Sequence, residues 1–197
     1  MIEKKQKKIA LIVAMCLFME MLDGTIVTTA TPAISNTFKV PLASTSVIIT
    51  AYMITLAMFI PLSGWFADRF NNKTIFLSAI VIFTGASIGC ALSKSFDFLV
   101  AMRIIQGLGG SMMVPVGRLI VLKKTHKKEL LQMISYLVWP GLIAPAIAPL
   151  LGGLIVTYYS WHLIFAINIP LGAIAFLVRF RILENSNGDK NKSLDWM

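Results

Sequence analysis

Phe98-Leu-Val-Ala-Met-Arg103-Ile-Ile-Gln106-Gly107-Leu-Gly109-Gly110 sets a permanently charged guanidinium inside an apolar run that continues to Leu122. A lone arginine in such a run costs roughly 3 kcal/mol on membrane-insertion scales, so it belongs against a protein interior or a wet cavity. The surrounding composition says that the run is membrane-spanning. Hydrophobic residues make up 57% of the 197 residues and charged residues 14%, and the mean hydropathy is +0.78. A soluble domain carries about a quarter charged residues and cannot hide this much apolar surface.

Apolar stretches of about 20 residues are long enough to cross a bilayer, and six can be traced outward from Arg103. They run over residues 9–30, 47–66, 75–92, 98–122, 130–158 and 161–180. Most of the segments between them are short, which predicts an all-α polytopic membrane protein folded as a six-helix bundle. Residues 1–8 form a basic tail before it and 181–197 a polar, linker-like tail after it.

The net charge of +9 could point to nucleic acid, but its distribution does not. Lys4, Lys5, Lys7 and Lys8 precede the first span, Arg69 and Lys73 join the second to the third, and Arg118 to Lys128 join the fourth to the fifth. Arg179 to Lys192 follow the sixth, and only Lys39 and Lys94 fall on the opposite side of alternating spans. This is the positive-inside pattern, which puts both termini in the cytoplasm. The first span is too long for a cleavable leader and holds Glu20 and Asp23 within it, so it reads as retained. Cys16 and Cys90 lie in separate spans without metal-type spacing, and read as inert core residues.

Asp23 lies 14 residues beyond Ile9, or roughly 21 Å into a hydrocarbon core of about 30 Å. Arg103 enters from the other side and reaches a similar depth, in the outer third. Opposite charges at one depth invite pairing. Burial favours the neutral acid while the arginine favours the carboxylate, and that competition suits a proton switch. A purely structural pair is the alternative. Glu20, one turn before Asp23 on nearly the same face, is a second candidate cation or proton site, or a group facing a wet cavity.

The loop Gly64-Trp-Phe-Ala-Asp68-Arg69-Phe-Asn71-Asn72-Lys73 resembles the G-x-x-x-D-R-x-G-R-K signature of the major facilitator superfamily. Taken alone the stretch is a short turn in which the Gly64 region ends the helix, and the resemblance implies a cytoplasmic gate motif of Gly64, Asp68, Arg69 and Lys73 in which Asp68 docks on neighbouring helix ends. Asn71 stands where the family has glycine, and its tolerance of left-handed backbone lets the turn survive. Asn72 stands where the family has a basic residue.

Other segments carry the same resemblance. Arg103, Gln106, Gly107 and Gly110 match the fourth-span motif R-x-x-Q-G-x-G-x, whose arginine is associated with proton coupling. Leu22-Asp23-Gly24-Thr25-Ile26-Val27 is similar to the first-span motif of the fourteen-span drug:proton antiporter branch, although Thr28 replaces the usual asparagine. In the fifth span Pro145, Pro149, Gly152 and Gly153 resemble that branch's g-x-x-x-G-P-x-x-G-G, with Ala144 and Ala148 replacing glycines. Gly141, Pro145 and Pro149 recur every fourth residue beside Ala144, Ala148 and Gly152, which predicts a kinked face for close helix approach. Trp161, Asn168 and Pro170 match W-[RH]-x-x-F-x-x-N-x-P-x-G at the start of the sixth span.

The resemblance covers the whole chain and implies one six-span half-bundle, built as a 3+3 inverted repeat, of a multidrug exporter type working by alternating access. Gly64 to Ile75-Phe76 has the spacing of Gly153 to Ile164-Phe165, which is the one internal sign of such a repeat. The implied partners are the lipid bilayer, protons, a lipophilic or cationic small molecule, and a C-terminal half or second chain completing the pathway. Arg103 is then expected to face a cavity whose other wall that half supplies, with Met112 and Met113 offering a tolerant apolar surface. The location implied is the bacterial inner membrane.

Ser193-Leu194-Asp195-Trp196 resembles the approach to a seventh span, so the chain reads as the amino-terminal part of a longer transporter. A metabolite or iron-chelator exporter of the same fold, or a non-transporting remnant, stays open. No H-E-x-x-H, G-x-S-x-G or facing pair of aspartates supports an intramembrane enzyme, and no catalytic residue, metal or cofactor is expected.

Overall fold

The computed structural model describes residues 4–123, 125 and 129–178, and among these it holds helices and turns but no strand. The helices are α1 (Lys4–Phe38), α2 (Leu42–Arg69), α3 (Asn72–Ala91), α4 (Phe96–Lys123), α5 (Leu130–Tyr158), α6 (Leu163–Ala166) and α7 (Asn168–Val178). The first five are long and apolar enough to cross a membrane. The 181–197 tail, residues 1–3 and the last two residues of the sixth predicted span lie outside the described residues.

α1 outruns its predicted span at both ends, continuing through Pro32. Proline lacks the N–H that would bond the carbonyl four residues back. Here the orphan is the Thr28 carbonyl, and the Thr31 hydroxyl donates to it at 2.9 Å. Thr25, Thr29 and Thr37 likewise donate to carbonyls three or four residues back in the same helix. This polar stretch satisfies its own side chains internally, which an apolar-window reading cannot see.

The packing pairs α1 with α5, α2 with α4 and α3 with α4, and glycine decides how closely α4 approaches. A Cβ built on Gly109 would lie 2.6 Å from the backbone nitrogen of Phe83, and one on Gly107 2.9 Å from the Tyr52 carbonyl oxygen. α4 is thus wedged backbone-to-backbone between α3 and α2, and only glycine at both positions permits it. On α5 the row turned inward is Gly141, Ala144, Ala148 and Gly152. It packs on α1, with Leu17 against Gly141 and Thr29 against Gly152.

Three local expectations are corrected. The sixth span is not one uniform helix: it divides at Ile167 into α6 and α7, just before Pro170, whose missing N–H leaves the Ala166 carbonyl without its helical donor. Asn71 does not adopt a left-handed conformation. Its φ is −67° and its side chain accepts from the Lys73 N–H at 3.0 Å, so it caps α3 at the N-terminus. Lys39, between α1 and α2, is the described non-glycine residue with positive φ. Nor does Gly64 end a helix, since α2 runs on to Arg69.

Candidate functional site

One carboxylate gathers the bundle. Asp23 is buried near the middle of α1, and its Oδ2 pairs with Arg103 Nη1 of α4. Its Oδ1 accepts from Gln106 Nε2 at 2.9 Å and from Asn168 Nδ2 of α7 at 2.8 Å. Gln106 also donates to the Ser87 hydroxyl of α3 at 2.8 Å, and its Oε1 accepts from Arg103 Nη1 at 2.8 Å. Arg103 and Gln106 lie three residues apart on one helical face, so α4 presents both groups to the same acceptor. The two amides and the guanidinium hold Asp23 from two directions.

The guanidinium itself is enclosed. Arg103 Nε donates to the Ile48 carbonyl of α2 at 3.3 Å, and Cζ lies 4.2 Å from the Tyr52 ring centroid and 5.7 Å from that of Phe165. Arg103 and Asp23 are each 0% exposed at their side chains. The expectation that Arg103 faces a cavity walled by a further half is therefore corrected: α1, α2, α4 and α6 close around it within this chain. The reason is the Gly107 and Gly109 wedge, which draws α4 inward. A charge sealed this way is held by its partner, and removing either side of such a pair costs about 3–5 kcal/mol.

Glu20 sits one turn from Asp23 and is 5% exposed, with Oε2 lacking any hydrogen-bond partner. It does not face an open wet cavity. The loop motif is placed at the far end of α2: Asp68, Arg69 and Lys73 are half-buried, with the Arg69 guanidinium 5.2 Å from the Trp65 ring. Gly64 and Gly153 both open onto free space, and a Cβ on either would meet nothing within 4 Å. Pro149 is exposed and Pro145 half-buried, so the fifth-span motif divides between an inward row and an outward one. Met113 is wholly buried in the core, unavailable to a ligand. Met112 lines a shallow apolar groove with Phe66, Phe70 and Ile75.

The sixth-span motif also splits. Trp161 Nε1 donates to Thr37 Oγ1 at 3.0 Å, tying the turn before α6 to the end of α1, whereas Asn168 reaches the central carboxylate. The sequence motif holds Asn168 and Phe165 without placing either beside the Asp23 pair, and nothing in the sequence singles out Tyr52 or Ser87. An amide in an otherwise apolar span was a signal for Asn168. A serine in an apolar span is not distinctive, because most serve their own helix, as Ser87 also does through the Phe83 carbonyl.

Residues 13–195 match the family model described as Major Facilitator Superfamily. The chain is 41% identical over 188 residues to a Haemophilus influenzae protein named as a transport protein, HsrA, covering 95% of this chain and 40% of that protein. It is 42% identical over 174 residues to a Salmonella heidelberg protein named for multidrug resistance, MdtD, covering 88% of this chain and 37% of that one. The chain therefore spans about 40% of the length of the curated relatives it matches. Among solved structures, the POT family transporter PepTSo superposes with a TM-score of 0.83 at 13% identity, over 98% of this chain and 40% of that one. A bacterial homologue of the human lysosomal transporter Spinster, inward-facing and unoccupied, gives 0.75 at 19% identity, over 100% of this chain and 47% of that one.

Proposed function

The chain belongs to the major facilitator superfamily, and we propose that it forms one six-helix half of a proton-coupled multidrug exporter, with Asp23 the group that binds the proton. The observation that carries this reading is the enclosed Asp23 carboxylate, on which groups from α4 and α7 converge. Protonating it removes the charge opposite Arg103 and turns one acceptor oxygen into a donor. An uncompensated guanidinium in that interior is costly, so the bundle relaxes to an arrangement in which Arg103 finds water or another anion. A ligand shifts such an equilibrium only through its differential affinity for the two states. Proton and substrate then favour opposite states, which is antiport.

The 3+3 repeat is part of the same proposal. If the first three spans map onto the last three, the α1 with α5 pair exchanges with α4 and α2, and both pairs pack closely. The charge distribution supports cytoplasmic termini in a bacterial inner membrane. The name of the Salmonella relative supports lipophilic or cationic drugs as substrates, with a second six-helix unit completing the pathway.

The test is efflux of a cationic dye, driven by a pH gradient, from proteoliposomes holding a chimera that continues this chain with the remainder of the Salmonella relative. Asp23→Asn keeps the shape of the side chain and removes its charge. Proton-driven efflux is expected to fall to the level of empty liposomes. Equal efflux from both forms would remove Asp23 from the coupling step.

A further inference from the structure

Two buried polar atoms one turn away from the Asp23 pair have no hydrogen-bond partner, and both lie at one level of the bundle. Glu20 Oε2 is one and the Tyr52 hydroxyl is the other, on side chains 5% and 1% exposed. The register of the antiparallel α1 and α4 sets their levels. Val13 lies against the Cβ position of Gly117 and Asp23 bonds Gln106, so Glu20 stands level with Gly110. The Tyr52 hydroxyl lies 3.4 Å from a Cβ built on that same Gly110. Glu20, Asp23 and Arg103 all act electrostatically on the Tyr52 hydroxyl.

We infer that Glu20 and Tyr52 form a second proton-binding site, one helical turn toward the α1 N-terminus from Asp23, in which the tyrosine hydroxyl is the partner of the glutamate in both protonation states. The inference deepens the proton-coupled reading and rests on it. A phenol hydroxyl can donate to a carboxylate and accept from a carboxylic acid, so it accompanies the carboxyl as the proton arrives or leaves. No guanidinium or ammonium among the described residues lies within ion-pair distance of Glu20, which separates it from Asp23. The titratable and charged groups around it are Cys16 and Asp23 on α1, Tyr52 on α2, and Arg118 on α4 as an attracting charge. α5 turns Met133, Leu137, Gly141 and Ala144 inward, and α7 has no titratable residue. The Tyr52 ring lies beneath the Arg103 guanidinium and its hydroxyl is at the Gly110 level, so one side chain spans the levels of both sites.

The experiment is infrared difference spectroscopy of the purified chain in detergent across a pH titration, following carbonyl stretches of protonated carboxyl groups. One titrating band is expected to vanish in Glu20→Gln, to persist in Asp23→Asn, and to move in frequency in Tyr52→Phe, with its midpoint changing about two- to tenfold in proton concentration, as loss of one ordinary hydrogen bond gives. Tyr52→Phe keeps the ring under Arg103, so an unchanged thermal unfolding midpoint shows that the fold persists. A band untouched by Tyr52→Phe, or no band lost in Glu20→Gln, would overturn the site. Because the readout involves no transport, failure of the exporter reading leaves a distinct signature: the bands behave as stated while the Asp23→Asn chimera still pumps.

Discussion

α4 and α5 are nearly equal in length, both apolar enough to cross a membrane, and written in the same vocabulary of glycine and proline, yet they occupy opposite places in the molecule. In its apolar window α4 is 61% buried and α5 22%. Gly107 and Gly109 of α4 meet backbone atoms of two neighbours, whereas Gly141 and Gly152 of α5 meet side chains of one helix, α1. α4 carries the charge and α5 carries none between Leu130 and Tyr158. Small residues at four-residue intervals thus promise a close approach without saying how many helices make it. The charge tells more, because a guanidinium needs a protein interior or a wet cavity beside its helix.

The strongest way to break this contrast is to take the charge out of α4. Arg103→Leu leaves Asp23 buried without its counter-charge and is expected to cost about 3–5 kcal/mol, with Asp23→Leu/Arg103→Leu recovering most of it. Thermal unfolding in detergent, followed by a thiol-reactive dye on the buried Cys16 and Cys90, measures both. If the double variant were no more stable than the single one, the lone carboxylate left behind would not be the source of the loss. Next in size is Gly109→Ala, whose Cβ meets Phe83 N at 2.6 Å and Cα at 2.9 Å. Backbone cannot rotate aside, so overpacking of about 1–3 kcal/mol is expected, and an unchanged midpoint would mean that α3 and α4 separate freely.

How much of this was readable beforehand follows the same contrast. Arg103 declares itself because a charge in an apolar run has few explanations, and Asp23 follows from depth. Arg103's enclosure was not readable, because it depends on Gly107 and Gly109 opening onto Tyr52 and Phe83, contacts set by residues far away in sequence. Asn168 lies 145 residues from the carboxylate it bonds, a separation that no periodicity encodes. The turn before α3 was misjudged for a local reason: asparagine serves as either a left-handed residue or an N-cap, and only the backbone angle decides between them. Each long helix was found within a turn or so at most ends, and the largest overrun, at the far end of α1, comes where threonines replace apolar residues.

The finest test lies between two adjacent glycines of α5. A Cβ on Gly152 would fall 2.1 Å from Thr29 Oγ1 and 2.9 Å from Ile26 Cγ1, whereas one on Gly153 would meet nothing within 4 Å. Gly152→Ala must therefore displace the Thr29 hydroxyl from its bond to the Ile26 carbonyl. A loss of about 1 kcal/mol is expected, partly restored by adding Thr29→Ala. Gly153→Ala has no such obstacle and removes glycine's entropic penalty in a helix, so the chain should gain up to about 1 kcal/mol. The two signs come from neighbouring residues of one motif, so a shared effect on the helix cannot produce them. If Gly153→Ala stabilises this chain while slowing efflux in the chimera, then the open face of α5 meets a partner only in the assembled transporter. If it leaves efflux unchanged, that face is turned to lipid, and the contrast with α4 is one of burial alone.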